Sequence, residues 1–279
     1  MKETLELRIN YDFANLLFKD KEGKNLGTSV KIIDLSKDDP RYIQIPIIES
    51  HVKKKYDRSF FFGWEVKRKY SKKELNSAEL FHIKIKTTFE PTGEECGTIF
   101  DETSVCEICG ANRKQVGPLT LMRGTIPKKD IARTIAGEIV VSDKFVTAYK
   151  KRGLNGIKFE AVIFTKGNSD YYQLIAEKKL ELSQNTIVGI NPFDFSTSNA
   201  GELYNCPKGH TIGLNLISEP HVLRLSEINK TDFYASRQMI GVNRGLLKPE
   251  SIYFCSQDFK KMVDEEKLKG FEFELTHIE

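Results

Sequence analysis

Cys96, Cys106 and Cys109 fall within fourteen residues of one another, and Cys206 opens the run Cys206-Pro207-Lys208-Gly209-His210 about a hundred positions later. Cys106-Glu107-Ile108-Cys109-Gly110 has the C-x-x-C-G form of a zinc knuckle, in which two thiolates converge on one ion and the glycine permits the tight turn. The second run keeps that turn chemistry but carries Gly209 where a second cysteine would stand. The spacing predicts one zinc ion held by Cys96, Cys106, Cys109 and Cys206, with His210 as the alternative fourth ligand. Four protein ligands leave no open position for water or substrate, so such a zinc is structural. The competing readings are a catalytic zinc with an open position and turn-forming cysteines with no metal.

Other chemistry is sparse. The chain has no G-x-S-x-G, no P-loop, no G-x-G-x-x-G after a strand and no H-E-x-x-H, so an enzyme is not expected. His221 and His277 each stand alone in the sequence. Glu94 and Glu95 read as solvated neighbours of Cys96. Arg244 and Lys248 lie in the glycine-bearing stretch GVNRGLLKP, with Arg237 just before it; the stretch could bind an anion but reads as a loop entering the second repeat.

Composition bounds the rest. With 279 residues, 39% hydrophobic and 29% charged, the chain is long enough for one large domain or two ordinary ones. No run approaches the roughly 18 to 20 apolar residues of a membrane span. Five cysteines is an odd number, and C-x-x-C spacing in a reducing compartment favours metal over disulfide, so a cytoplasmic location is expected. The net charge of +4 is too small to demand a nucleic-acid partner. Between Lys53 and Lys73, however, basic residues alternate with Tyr56, Phe60, Phe61, Phe62, Trp64 and Tyr70. That mixture suits either a single-strand-binding face or a strand pair with its aromatics inward and its lysines in water.

The elements that must position these residues begin with a half-buried strand through Leu5, Leu7 and Ile9. Short strands follow at Val30 to Leu35 and Tyr42 to Ile48, the latter with Pro46 at an edge. Ser71-Lys72-Lys73-Glu74 is a capping box opening a short helix. Phe81 to Phe89 alternates, with His82, Lys84 and Lys86 on the wet face. Asp130 to Glu138 reads as a short helix capped by Asp130 and stopped by Gly137.

Residues 140 to 161 then align without gaps on residues 254 to 275, at an offset of 114. Each copy reads as strand, capped helix, turn and strand. Ser142 and Ser256 are the caps. Phe145, Ala148 and Tyr149, and Phe259, Met262 and Val263, form apolar helix faces at i, i+3 and i+4. Gly156 and Gly270 fit a turn with positive φ. The alignment puts Cys255 opposite Val141 as a small buried hydrophobe.

The repeated V-S-x-x-F…L-x-G-x-x-F unit, together with C-x-x-C-G, resembles the double-CXXCG motif immunity proteins of myxobacterial toxin systems, and more distantly another group of bacterial immunity proteins. The resemblance covers roughly residues 94 to 279. It implies a protein that binds and neutralises a cognate bacterial toxin. Only one intact C-x-x-C-G is present here, which points to a single shared metal site rather than two knuckles with an ion each.

The expected fold is α+β, with an N-terminal, mainly-β portion over 1–90. A zinc-stapled portion with two repeated strand-helix-strand units follows over 91–279. The expected function is a non-catalytic, toxin-binding immunity-type protein with no membrane or nucleic-acid partner. The alternative is a zinc-ribbon nucleic-acid-binding protein using residues 53–73.

Overall fold

The computed structural model describes residues 1–164, 169–193, 204–224 and 230–279. The fold is α+β with a mainly-β N-terminal region. The chain divides into two compact units, 1–75 with 191–196, and 76–190 with 197–279. The sequence places the boundary near residue 90. It falls earlier because the strand over Leu80–Ile85 pairs entirely within the second unit.

The first unit contains β1 (Lys2–Asn10), β2 (Lys24–Leu26), β3 (Val30–Ser36), α1 (Ile45–Tyr56) and β4 (Phe61–Lys69). They build one sheet in the order β2-β3-β1-β4, with β1 antiparallel to both neighbours. Alternation does what the sequence predicts for β1: Leu5, Leu7 and Ile9 enter a core with Ile33, Leu35, Val66 and Phe60. Ile45 and Val52 of α1 belong to the same core.

Tyr42 to Ile48, expected to be a strand, is instead a 3-10 turn running into α1. Pro46 lies in the first helical turn, where its missing N–H costs nothing and its fixed φ is already helical. Lys53, Lys54 and Lys55 occupy the last turn, where cations suit the helix dipole, and Asp57 closes the helix in the left-handed conformation. Glu49 Oε2 then accepts the Phe60 amide at 2.7 Å, tying the helix to the start of β4. The stretch from 53 to 73 is therefore a helix end and a strand, not a strand pair. The capping box is present as expected at α2 (Lys72–Ser77): Ser71 N donates to Glu74 Oε2 at 2.7 Å, and Glu74 N to Ser71 Oγ at 3.2 Å.

The second unit runs through β5 (Leu80–Ile85), β6 (Thr88–Phe89), β7 (Ile99–Asp101), β8 (Lys114–Val116), β9 (Thr120–Leu121), β10 (Ile131–Thr134), β11 (Ile139–Ser142), α3 (Asp143–Lys151) and β12 (Ile157–Ala161). It continues with β13 (Ile163–Phe164), β14 (Tyr171–Ala176), β15 (Lys179–Leu180), β16 (Val188–Gly189), β17 (Asn215–Leu216) and β18 (His221–Val222). The last elements are β19 (Phe233–Ile240), β20 (Glu250–Ser256), α4 (Gln257–Glu265), β21 (Phe271–Leu275) and β22 (His277–Ile278).

Two five-stranded sheets result, ordered β12-β14-β11-β10-β6 and β21-β5-β20-β19-β15. Their registers correspond pair by pair. Val140 faces Gln173 as Phe254 faces His82, and Ile157 faces Ala176 as Phe271 faces Ile85. Ile131 faces Val141 as Phe233 faces Cys255. At the far edge Arg133 meets Thr88, and Ala235 meets Lys179, both in parallel pairs. The strand order also shows an exchange. β5, early in the chain, lies between β20 and β21, while β14, much later, lies between β11 and β12.

Between the sheets' helices, Phe145 and Phe259 are fully buried with ring centroids 5.8 Å apart. Each helix is capped by its serine, Ser142 Oγ accepting from Phe145 N and Ser256 Oγ from Phe259 N, both at 3.2 Å. Asp130 Oδ1 accepts Ser142 Oγ at 2.8 Å while its Oδ2 accepts Lys269 N, before Gly270, at 2.7 Å. Asp232 does the same in reverse, accepting Ser256 Oγ at 2.7 Å and Asn155 N, before Gly156, at 3.0 Å. Gly156 and Gly270 have φ of 100° and 105°. A Cβ on Gly156 would sit 2.6 Å from Phe233 O, and one on Gly270 would sit 2.4 Å from Ile131 O.

Three expectations are corrected here. Asp130 to Glu138 forms β10 and a turn at Gly137, not a helix, because Ile131 and Ala132 pair across to the buried β11. Asp130 therefore anchors a serine and a turn amide rather than capping a helix. His82 is buried, not wet: β5 is an inner strand, and Glu274 Oε2 on β21 lies 3.5 Å from its Nδ1. His221 and His277 do not stand alone. They stack across the β18–β22 pair with centroids 4.6 Å apart, and each meets a carboxylate at 2.6 Å, Glu279 and Glu219 respectively. Cys255 is fully buried, as expected, and burial holds its thiol well above the ordinary range.

Candidate metal centre

The insert between β6 and β10 carries Cys106 and Cys109, and the insert between β15 and β19 carries Cys206 and His210. In each, a six-residue loop is closed by one backbone bond, Cys106 N to Ala111 O at 2.8 Å and Cys206 N to Thr211 O at 2.9 Å. A second bond tightens the turn. In the first loop it runs from Gly110 N to Cys106 O at 2.7 Å, and in the second from Gly209 N to Cys206 O at 2.8 Å.

Both glycines have positive φ, 72° and 76°, a conformation that side chains with a Cβ resist. The difference of one position matters. With glycine fifth in the first loop, the fourth position supplies Cys109. With glycine fourth in the second, the fifth position supplies His210, whose longer side chain spans the difference. The missing cysteine of the C-P-x-G run is thus replaced by an imidazole one residue on.

The ligand atoms of Cys106, Cys109, Cys206 and His210 all lie within 4.8 Å of one another. Cys106 Sγ and Cys206 Sγ are 3.8 Å apart, and His210 Nδ1 is 3.7 Å from both Cys109 Sγ and Cys206 Sγ. The three cysteines are buried with Ala111, and Met239 packs against them. The amides of Cys109 and Ile108, aimed at Cys106, draw its thiol well below the ordinary range. Burial, with Cys206 and Cys106 alongside, pushes Cys109 up. Three sulfurs this close cannot all ionise against one another without a cation among them. Thiolates and an imidazole are donors for a soft or borderline ion, and the four residues could hold one.

Cys96 stands outside this group. Thr92 and Glu95 form their own capping box, Thr92 N donating to Glu95 Oε2 at 2.8 Å and Glu95 N to Thr92 Oγ1 at 3.4 Å. Cys96 sits in the turn that follows, its amide donating to Thr92 O and Gly93 O. Its thiol is raised by burial and by the nearby Glu95 and Glu138 carboxylates, while a Met122 backbone contact lowers it. Glu94 pairs with Arg113 at 2.7 Å. Of the five residues singled out by the sequence, the structure therefore gathers Cys106, Cys109, Cys206 and His210, taking both candidates for the fourth position.

No family model matches this sequence, and no curated protein matches it. The reading of the site rests on its own geometry.

Sequence reasoning passed over Asn112, whose side-chain nitrogen lies 3.2 Å from His210 Nε2. The only signal for it was its place three residues beyond Cys109. Among the described residues, no helix is long and apolar enough to cross a membrane.

Proposed function

We propose that this chain is a non-catalytic binding protein whose second unit is stapled by one structural zinc ion, held by Cys106, Cys109, Cys206 and His210. One observation carries this reading. Tetrahedral zinc with bonds of about 2.3 Å to sulfur and about 2.0 Å to nitrogen has ligand-to-ligand edges of roughly 3.5 to 3.8 Å. The 3.8 Å sulfur pair and the two 3.7 Å sulfur–nitrogen contacts have those dimensions. Four protein ligands close the coordination sphere, so the ion would join two distant inserts rather than activate water.

The partner we propose is a cognate bacterial toxin, bound and neutralised in the cytoplasm, as the resemblance to the double-CXXCG immunity proteins implies. The layout of the basic aromatic stretch gives little support to a nucleic-acid partner. The basic aromatic stretch is divided between the end of α1 and β4, and its charges are partly spent on acids: Lys67 pairs with Glu6 and Asp34, and Arg68 with Glu3. A stripe neutralised in this way releases few counterions on meeting phosphate.

The test is to identify the neighbouring gene, co-express its product with this chain if it is a toxin, and measure binding of the purified pair. A neighbour that is no toxin would count against the reading. Restored growth and an affinity that changes only modestly with salt are expected. Sub-micromolar binding of single-stranded oligonucleotides at physiological salt, weakened by replacing Lys53, Lys54, Lys67 and Arg68 together, would overturn the reading.

A further inference from the structure

We propose that Asn112 is a positioning residue of the metal centre, holding His210 so that Nδ1 rather than Nε2 faces the three sulfurs. The inference rests on the zinc site proposed above. His210 Nδ1 already lies 3.7 Å from two sulfurs, so its Nε2 points away from them, and the Asn112 amide lies 3.2 Å from that Nε2. An imidazole that gives its Nδ1 lone pair to a metal keeps its proton on Nε2, and that proton needs an acceptor. The amide supplies one by presenting its oxygen, a half-turn of a group whose two ends have nearly the same shape.

The surroundings of Asn112 fit this role. Its φ is 68°, in the left-handed region where glycine is most at ease and asparagine is tolerated. Gly110, two residues earlier, is a glycine in that region, yet here the chain keeps a side chain. The backbone beneath it is held on both sides. Ser104 Oγ donates to the Asn112 carbonyl at 3.0 Å, and the next residue, Arg113, pairs with Glu94 at 2.7 Å and with Glu102 at 2.5 Å. Asn112 joins the first knuckle to the ligand of the second, so it would set ring orientation at the one position where the knuckles differ.

The experiment uses the full chain, with Zn2+ affinity read by competition against a chelating indicator and the His210 ring followed by 15N NMR. Asn112→Gly keeps the left-handed backbone and removes only the amide. It should weaken zinc binding about tenfold or more, the usual effect of losing such a partner, and the Nε2–H signal of His210 should exchange faster with water. Asn112→Asp retains an acceptor and should bind zinc at least as tightly as the wild type. Wild-type affinity with an unchanged Nε2–H signal in Asn112→Gly would overturn the inference, as would an Asn112→Asp variant as weak as Asn112→Gly. A wild-type chain that binds no Zn2+ would remove the metal centre itself, and this inference with it. Wild-type binding with an indifferent Asn112→Gly would remove the inference alone.

Discussion

The two five-stranded sheets of the second unit share strand order, register and capping, yet the inserts they carry end in different donor side chains. In the sheets and their helices, the caps, turns and central phenylalanines repeat residue for residue: Ser142 and Ser256, Phe145 and Phe259, Gly156 and Gly270, Asp130 and Asp232. In the inserts, Cys106 and Cys206 correspond, while the second donor side chain is a cysteine in one and a histidine displaced by one residue in the other. The lesson is about which parts tolerate change. The helix pair keeps its central phenylalanines and trades volume around them, Ala148 and Tyr149 in one copy standing where Met262 and Val263 stand in the other. A knuckle needs only a donor atom at the right distance, and it can exchange thiolate for imidazole if its glycine moves too.

The comparison breaks most decisively at the inserts. With the proposed zinc bound, Cys106→Ser and Cys206→Ser should each release it and unfold much of the second unit, since a structural zinc contributes on the order of 10 kcal/mol to folding. Cys96→Ser should keep it. Elemental analysis and thermal melting of the three variants give the answer, and loss of metal in Cys96→Ser would put that residue back among the ligands. Next in size are Phe145→Ala and Phe259→Ala, each expected to cost about 3 to 5 kcal/mol in urea unfolding. Equal costs would sharpen the correspondence, and a cost confined to one would deny it.

Gly156→Ala and Gly270→Ala should follow at roughly 2 kcal/mol or more. Each would place a Cβ against a carbonyl oxygen of the opposite half and in a conformation that costs about 1 to 2 kcal/mol for a residue with a side chain. Smaller still, Asp130→Ala and Asp232→Ala should each cost about 1 to 3 kcal/mol by stranding a serine hydroxyl and a turn amide, again measured by urea unfolding.

What could be read from the sequence follows from what each signal encodes. The strand-helix-strand segments were legible because alternation, a serine cap and i, i+3, i+4 spacing all pointed the same way. α1 was not, because Ile45, Ile47 and Ile48 favour strands on propensity and Pro46 fits a strand edge as well as a first helical turn. β10 was misread for the opposite reason: Asp130 and Gly137 bracket it like helix signals but serve a cross-sheet anchor and a turn. His82 looked wet because alternation assumes one solvated face, and an inner strand covered on both sides breaks that assumption. At the site, Cys106, Cys109 and Cys206 were legible from knuckle spacing. The placement of Cys96 outside that group was not, because the Thr92–Glu95 capping box that precedes its turn lies outside the cysteine pattern.

The exchanged strand also sets a clock. β5 is among the first parts of the second unit to be synthesised, yet β20 and β21, between which it lies, are among the last. At about 5 to 20 residues per second, β5 waits on the order of ten to thirty seconds for its partners. During that interval Leu80, Phe81, Ile83 and Ile85, all buried in the finished fold, have neither neighbour to cover them, the condition in which strands pair with other chains.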